Sequence, residues 1–369
     1  MELRTVESLC AAVYSGGTPS RKKPEYYEGG TIPWIKTMEI RDGYIYDSEE
    51  KITESGLQNS SAKFVPKESV LIAMYGATVG RVGYLKIDST TNQAACALVV
   101  NSEITNPKWL YYSILATRDS LIDKANGAAQ QNISVSIVRN HQIKYVPLEE
   151  QERIAGILGS LDDKIEANTR LIQTMDSYKS TLFQAHICSE SEGETIKVSD
   201  VATLIRENIA ASDIDESMNY VALEHIPRHS LYSHEWTNSE GVMSNKSGFK
   251  VGDILFGKLR PYFHKVSIAA VDGVASTDIL VLRPKPGFEV LAQSVLSSED
   301  LIEYATQVSS GTRMPRASWK DIMNYEVTVK NVEILQESLS GFDAYSRALI
   351  HENKVLTETR DALIKRLID

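Results

Sequence analysis

The polar residues most able to do chemistry sit in loops, and their types suit gripping a polyanion better than breaking a bond. Thr18, Ser20, Arg21, Lys22 and Lys23 form a basic tip beside Tyr26 and Tyr27 in SGGTPSRKKPEYYEGG. Such a tip fits phosphate oxygens with aromatic support; a solvated turn set by Gly16, Gly17 and Pro19 is the competing reading. A second run, YGATVGRVGYL, places Tyr75, Thr78 and Arg81 among Gly76, Gly80 and Gly83. It lacks Gly-x-Gly-x-x-Gly, and no Lys-Ser/Thr follows at P-loop spacing, so it reads as a glycine-rich hairpin approaching a ligand's backbone. Asn92 and Gln93 could pair two-pronged with adenine or simply shape a turn, and Gln130, Gln131 and Asn132 add amides in GAAQQNIS. Farther along, Lys258, Arg260 and Tyr262 share one short run, followed by Thr277, Arg313 and Arg316.

Bond-breaking constellations are missing. An adenine or cytosine methylase needs an Asn/Asp-Pro-Pro-aromatic loop or a Pro-Cys nucleophile with a glycine-rich cofactor turn, and neither loop occurs. Asp47, Glu49, Glu50 and Lys51 could begin a nuclease site, but they crowd in a polar stretch and read as a solvated charge run. No Gly-x-Ser-x-Gly or His-Glu-x-x-His appears. His225, His229 and His234 invite a metal, yet Pro227 separates the first two and no carboxylate or cysteine spacing completes a zinc set. The expectation is no catalytic residue, no metal and no cofactor in this chain.

These loops need a scaffold. Apolar runs at residues 9–13, 32–35, 70–74 and 95–100 predict strands, and residues 107–125 predict an amphipathic helix with Trp109, Leu110, Ile114, Leu121 and Ile122 inward. A strand at 142–146 ends at Pro147, and Glu149, Glu150 and Glu152 then fall where a helix dipole favours acids. Ile154, Leu158, Leu161, Ile165, Ile172, Met175 and Leu182 continue as one coiled-coil seam, on a helix roughly 55 Å long at 1.5 Å per residue. A helix of that length needs an equally long partner. The C-terminus offers one, with Leu335, Leu339, Phe342, Leu349, Leu356, Leu363 and Leu367. Asn168 and Asn353 each interrupt an apolar stripe: either a buried pair fixing register or rim residues in water.

The chain repeats itself. Gly127 and Ser134 match Gly311 and Ser318 at an offset of 184, and the same offset pairs Leu71 with Leu255, Val82 with Val266, Asp88 with Asp272 and Leu98 with Leu282. One shift held over more than 60 residues implies two tandem copies, each a globular unit followed by a long helix. The fold class expected is α+β: two tandem globular α/β domains whose trailing helices pack as an antiparallel coiled coil. The boundaries expected are 1–148, 149–190, 191–330 and 331–369, with SESEGE as linker.

Composition sets the outer limits. A 369-residue chain, 42% hydrophobic and 24% charged, suits soluble globular units. No apolar run reaches membrane-spanning length and MELRTVESLC lacks a signal core. Three cysteines without Cys-x-x-Cys suit reduced thiols, so a cytoplasmic chain with no membrane partner is expected. The net charge of −10 opposes nucleic-acid binding only on average: residues 149–194 carry −6 and residues 331–369 carry −2, whereas residues 246–265 hold five bases against one acid.

The segments SGGTPSRKKPEYY with GGTIPWIKT, LIAMYGATVGRVGYL, TNQAA, GAAQQNISVSIVRNHQIKYVPL, EEQERIAGIL and LDDKIEANTRLI, in this order, resemble the specificity subunit of type I restriction–modification systems. The resemblance covers essentially the whole chain. It implies two target-recognition domains, each reading half of an asymmetric bipartite site in double-stranded DNA, and two conserved helical regions that space them. It implies two modification (methyltransferase) subunits docked on those helices, bringing S-adenosylmethionine, and restriction subunits bringing ATP and Mg. The related units would then enter grooves about 34 Å apart or a multiple of it. The second copy departs from the pattern: it lacks the Gly-Gly-Thr-Pro loop, and Ile334-Leu335-Gln336 replaces the Pro-Leu-x-Glu-Gln helix entry. The alternative is an adaptor that binds no DNA, or an orphan, partly inactive specificity subunit.

Overall fold

The computed structural model describes residues 2–124, 132–189, 192–233, 235–311 and 313–368. The chain forms two compact units, residues 1–164 with 356–369, and residues 165–355.

The first unit is built on a five-stranded sheet in spatial order Cys10–Ser15, Ala95–Val100, Val70–Ala73, Val82–Leu85 and Gly43–Ile45. Neighbours run antiparallel except the last pair, which is parallel. Val70–Ala73 is buried along its whole length, as a central strand covered on both faces should be. A second sheet orders Lys51–Ile52, Ile32–Ile35, Ser89–Thr91 and Phe64–Val65, and Glu2–Thr5 pairs with Gln142–Tyr145. Helix Pro107–Ala116 starts with proline in its first turn, and the Asn106 side chain accepts from the Trp109 N–H at 3.1 Å. It stops at Thr117 and a separate helix, Arg118–Ile122, follows, so the single helix expected over 107–125 is broken. Trp109, Leu110 and Ile114 pack in one core with Val70, Ile72 and Leu98. That core also takes Ile154 and Leu158 from the long helix and Ile364 and Ile368 from the C-terminal segment.

The second unit has the sheet Ala202–Ile205, Ile279–Pro284, Ile254–Gly257, Val266–Ile268, and a second sheet of five short strands around Lys246–Phe249 and Gly273–Ala275. Its strand register repeats that of the first unit. Val70↔Leu98, Leu71↔Ala97, Ile72↔Cys96 and Ala73↔Ala95 become Ile254↔Leu282, Leu255↔Val281, Phe256↔Leu280 and Gly257↔Ile279, each partner displaced by 184. Glu2↔Tyr145 becomes Glu194↔Val329, where the early strand is displaced by 192 instead. The difference of eight residues falls before residue 70, in the stretch where the first copy carries its Gly-Gly-Thr-Pro loop.

The long helix spans Leu148–His186. Near its start the fully buried Gln151 donates to Val146 O at 2.8 Å and Ile104 O at 3.1 Å, and accepts from Asn106 N at 2.8 Å. The equivalent position in the second copy is the fully buried Leu335, so an apolar contact replaces a polar latch. The C-terminal region is two helices, Val332–Ser338 and Phe342–Leu367. Gly341 between them has φ +85°, a left-handed turn that ends the first helix where one continuous helix was expected.

The expected seam is only partly the buried one. Ile154, Leu158, Ile172, Leu339 and Leu349 are buried, but Leu161, Ile165, Met175, Leu182, Phe342, Leu356, Leu363 and Leu367 are half-exposed. Phe183, Ile350, Ile364 and Ile368 take the deeper positions. The helix ends insert into the cores of the globular units, so burial there follows those cores instead of a strict heptad. Within the second unit the two helices meet antiparallel. Asn168 meets Asn353, and ten residues on, the Tyr178 ring lies 6.0 Å from that of Phe342.

Candidate nucleic-acid interface

The sheet of the first unit gathers the singled-out loops at one end. Gly16 N donates to Ala95 O at 3.4 Å and Gly17 N to Thr91 O at 2.9 Å; Met74 N donates to Ala94 O at 2.8 Å and Ile133 N to Met74 O at 3.0 Å. The loops bearing Thr18–Lys23, Tyr75–Arg81, Asn92–Gln93 and Asn132 therefore leave the sheet side by side. The close approach explains the first glycine pair: a Cβ on Gly16 would lie 2.0 Å from Thr91 O, and one on Gly17 2.3 Å from the Ser61 backbone.

Individual side chains divide into held and free. Thr18 donates to the Gln93 side chain, joining two of the loops. Arg21 lies over the rings of Tyr27 and Trp34, 4.4 and 5.1 Å from their centroids, and pairs with Glu50 at 2.6 Å. That guanidinium holds the Glu50 carboxyl below the usual carboxylate range. Trp34 is buried and donates its indole N–H to Gly17 O at 3.0 Å, so it supports the loop from beneath. Lys23 donates to the Tyr26 hydroxyl at 2.9 Å, while Ser20 and Lys22 are exposed. Arg81 is tied at 2.6 Å to Asp42, which also binds Arg118 at 2.7 Å and accepts from Val82 N at 2.8 Å. Asn92 Oδ1 accepts from Ala94 N at 3.1 Å, the arrangement of a turn residue. Tyr75, Gln93 and Asn132 are exposed and Thr78 half-exposed. Gln130 and Gln131 lie outside the described residues.

The second unit does the same with other side chains. Lys258 N donates to Asp278 O at 2.9 Å, Arg260 N to Pro315 O at 2.7 Å, and Ala317 N to Lys258 O at 2.9 Å. These bonds bring together the segments carrying Lys258, Arg260 and Tyr262, Thr277, and Arg313 and Arg316. Arg316 pairs with Asp278 at 3.3 Å. Tyr262, Thr277 and Arg313 are exposed, and Arg260 holds φ +52°. Arg206, where strand Ala202–Ile205 ends at the same edge, lies 4.4 Å over the exposed Trp319 ring. Sequence reading missed both; only the strand register puts them beside Lys258.

Residues 1–176 match the family model described as the type I restriction modification DNA specificity domain. The chain is 30% identical over 154 residues to the EcoR124I/EcoR124II specificity subunit of Escherichia coli, 40% of this chain and 38% of that subunit. It is 24% identical over 96% of its length to the MjaIX specificity subunit of Methanocaldococcus jannaschii, of which 90% is covered. Residues 1–176 thus match a type I restriction–modification specificity domain, and the likeness to a specificity subunit runs over nearly the whole chain. In fold it resembles the S subunit of a type I system from M. genitalium, with a TM-score of 0.55 at 17% identity over 100% of this chain and 96% of that one. The specificity-domain match stops at residue 176. Beyond it, the repeated strand register shows that the second unit has the same frame with a different set of loops.

The histidines are arranged differently from expectation. His225 accepts from Ala222 N at 3.0 Å and shapes a turn, and His234 lies outside the described residues. His229 faces His264 and Glu299, two residues its sequence neighbourhood does not suggest.

Proposed function

We propose that this chain is a non-catalytic, sequence-reading subunit of a type I restriction–modification complex. Each unit reads one part of an asymmetric bipartite site in double-stranded DNA, and the long helices dock two modification subunits. One observation carries the reading: two units with the same sheet register present unlike polar loops at the same sheet end. A shared frame with different tips suits two readers of different sequences. Exposed amides and hydroxyls would address base edges, while Lys22, Lys23, Lys258 and Arg313 would address phosphates. Arg21 and Arg316 are pre-positioned by carboxylates that a phosphate would displace. S-adenosylmethionine and the flipped adenine belong to the modification subunits, and ATP and Mg to restriction subunits.

The test is genome-wide adenine methylation in cells expressing the chain with its modification subunit, against cells lacking the chain. A two-part asymmetric motif should vanish with the chain. Duplex binding by the complex should weaken steeply with salt. A stable complex with no motif and no salt-dependent DNA affinity would establish an adaptor instead.

A further inference from the structure

We propose that His229, His264 and Glu299 form a binding site for a single divalent transition-metal ion of the zinc type. The three ligand atoms lie within 4.8 Å of one another. His229 Nδ1 stands 3.3 Å and His264 Nδ1 3.1 Å from the same oxygen, Glu299 Oε1. Tetrahedral zinc with bonds of about 2.0–2.1 Å places its ligand atoms on edges of about 3.3–3.4 Å, so two edges of that figure already exist.

The hydrogen bonding at His264 fixes how the ring presents itself. Its Nε2 is 2.9 Å from Ser297 O, and a carbonyl can only accept, so Nε2 carries the proton. In the neutral ring Nδ1 is then a lone pair aimed at a carboxylate oxygen, with no proton between them. A proton on Nδ1 or a metal cation at this point resolves that opposition. An imidazole that donates one N–H to a backbone carbonyl while offering its other nitrogen is the usual outer-shell arrangement of a metal-binding histidine.

The setting is a cavity of about 310 Å³ lined by these three residues with Asp176, Ser177 and Ser297 among others. It leaves room for water in the fourth position. Asp176 Oδ2 is taken by Leu231 N at 2.8 Å, so this carboxylate orders the wall. Two imidazole nitrogens and one carboxylate favour zinc and its neighbours over Mg or Ca, which prefer oxygen alone. His264 ends the turn Pro261–Phe263, and His229 N donates to its carbonyl at 3.1 Å. The ion would clamp the segment around His229 and the base of the Lys258–Phe263 loop to the first turn of helix Glu299–Gln307. Binding of the ion stands apart from the DNA reading; only an effect on DNA affinity would rest on it.

The experiment uses the full chain, stripped with a chelator and titrated with Zn²⁺ against a chromogenic zinc indicator. Wild type should take up one ion per chain, whereas Glu299→Gln and His229→Asn should bind at least tenfold more weakly. Both altered side chains are largely exposed, and asparagine tolerates the left-handed backbone of His229, so both variants should fold. Zn²⁺ should raise the melting temperature of wild type and not of either variant, and Mg²⁺ should raise none. Equal Zn²⁺ uptake by wild type and both variants, or no uptake by wild type, overturns the proposal and leaves a simple imidazole–carboxylate cluster.

Discussion

His141 shows how one side chain ties stability to pH. It is 1% exposed, its Nε2 lies 2.7 Å from Thr117 Oγ1, and its Nδ1 has no partner among the described residues. Burial pushes its pKa down to about 4, against about 6.5 for an unfolded histidine. Between those values the unfolded chain takes up a proton that the folded chain refuses. Stability from this group is therefore complete above about pH 6.5 and is lost as the pH falls toward 4, by on the order of 2–3 kcal/mol. Urea unfolding of wild type and His141→Gln at pH 7, 6 and 5 should show the gap between them changing in the variant's favour as the solution acidifies. A gap constant across that range would mean the imidazole is not held neutral. The residue scale also explains what sequence reading could not reach. Arg21, Arg81 and Arg316 look like free cations in the sequence, but Glu50, Asp42 and Asp278 bind them. Those partners lie 29 to 39 positions away, and only the folded loops bring them within reach.

At the scale of elements, the asparagines of the two helices separate the two readings left open by the sequence. Asn168 is 3% and Asn353 6% exposed. Asn168 Nδ2 donates to Asn353 Oδ1 at 2.9 Å and to Glu352 at 2.8 Å, and Asn353 Nδ2 donates to Thr169 at 3.2 Å. They are a buried, mutually satisfied pair. Asn353→Ala should cost the second unit about 1–3 kcal/mol by stranding a buried amide. Leucine at both positions should restore or exceed wild-type stability while loosening register. Thermal unfolding of the three chains measures this, and an unchanged Asn353→Ala would mean that water satisfies the amides after all. The helices and the duplication were legible because both are periodic: apolar spacing gave the long helix, and the 184-residue offset reappears as strand register. The break at Gly341 and the seam's drift toward Ile364 and Ile368 were not. They depend on which core each helix end enters, and a local pattern does not record that. The cluster of His229, His264 and Glu299 was hidden for the same reason, its members coming from three separate segments.

At the scale of the whole molecule, the last segment of the chain completes its first unit. Residues 356–369 belong with residues 1–164, and Ile364 and Ile368 share a core with Val6, Leu9, Trp109 and Leu158. Arg360 donates at 2.7 Å to Asp162, whose other oxygen accepts from the Tyr112 hydroxyl at 2.6 Å. This matters for exchanging the proposed readers. Replacing residues 1–148 with the corresponding part of another specificity subunit cuts through that core: the new sheet must accept Ile154, Leu158, Ile364 and Ile368 as they stand. Replacing residues 1–164 together with 356–369 carries both sides of the core across. Both exchanges should alter one half of the methylated motif and leave the other half unchanged. The shorter one should also lower stability, since mismatched core volume typically costs about 1–3 kcal/mol. Methylation mapping and melting temperatures on the two chimaeras separate the effects. If both halves of the motif change in either chimaera, the units do not read independently; if the shorter exchange melts no lower, the C-terminal segment is not a working part of the first core.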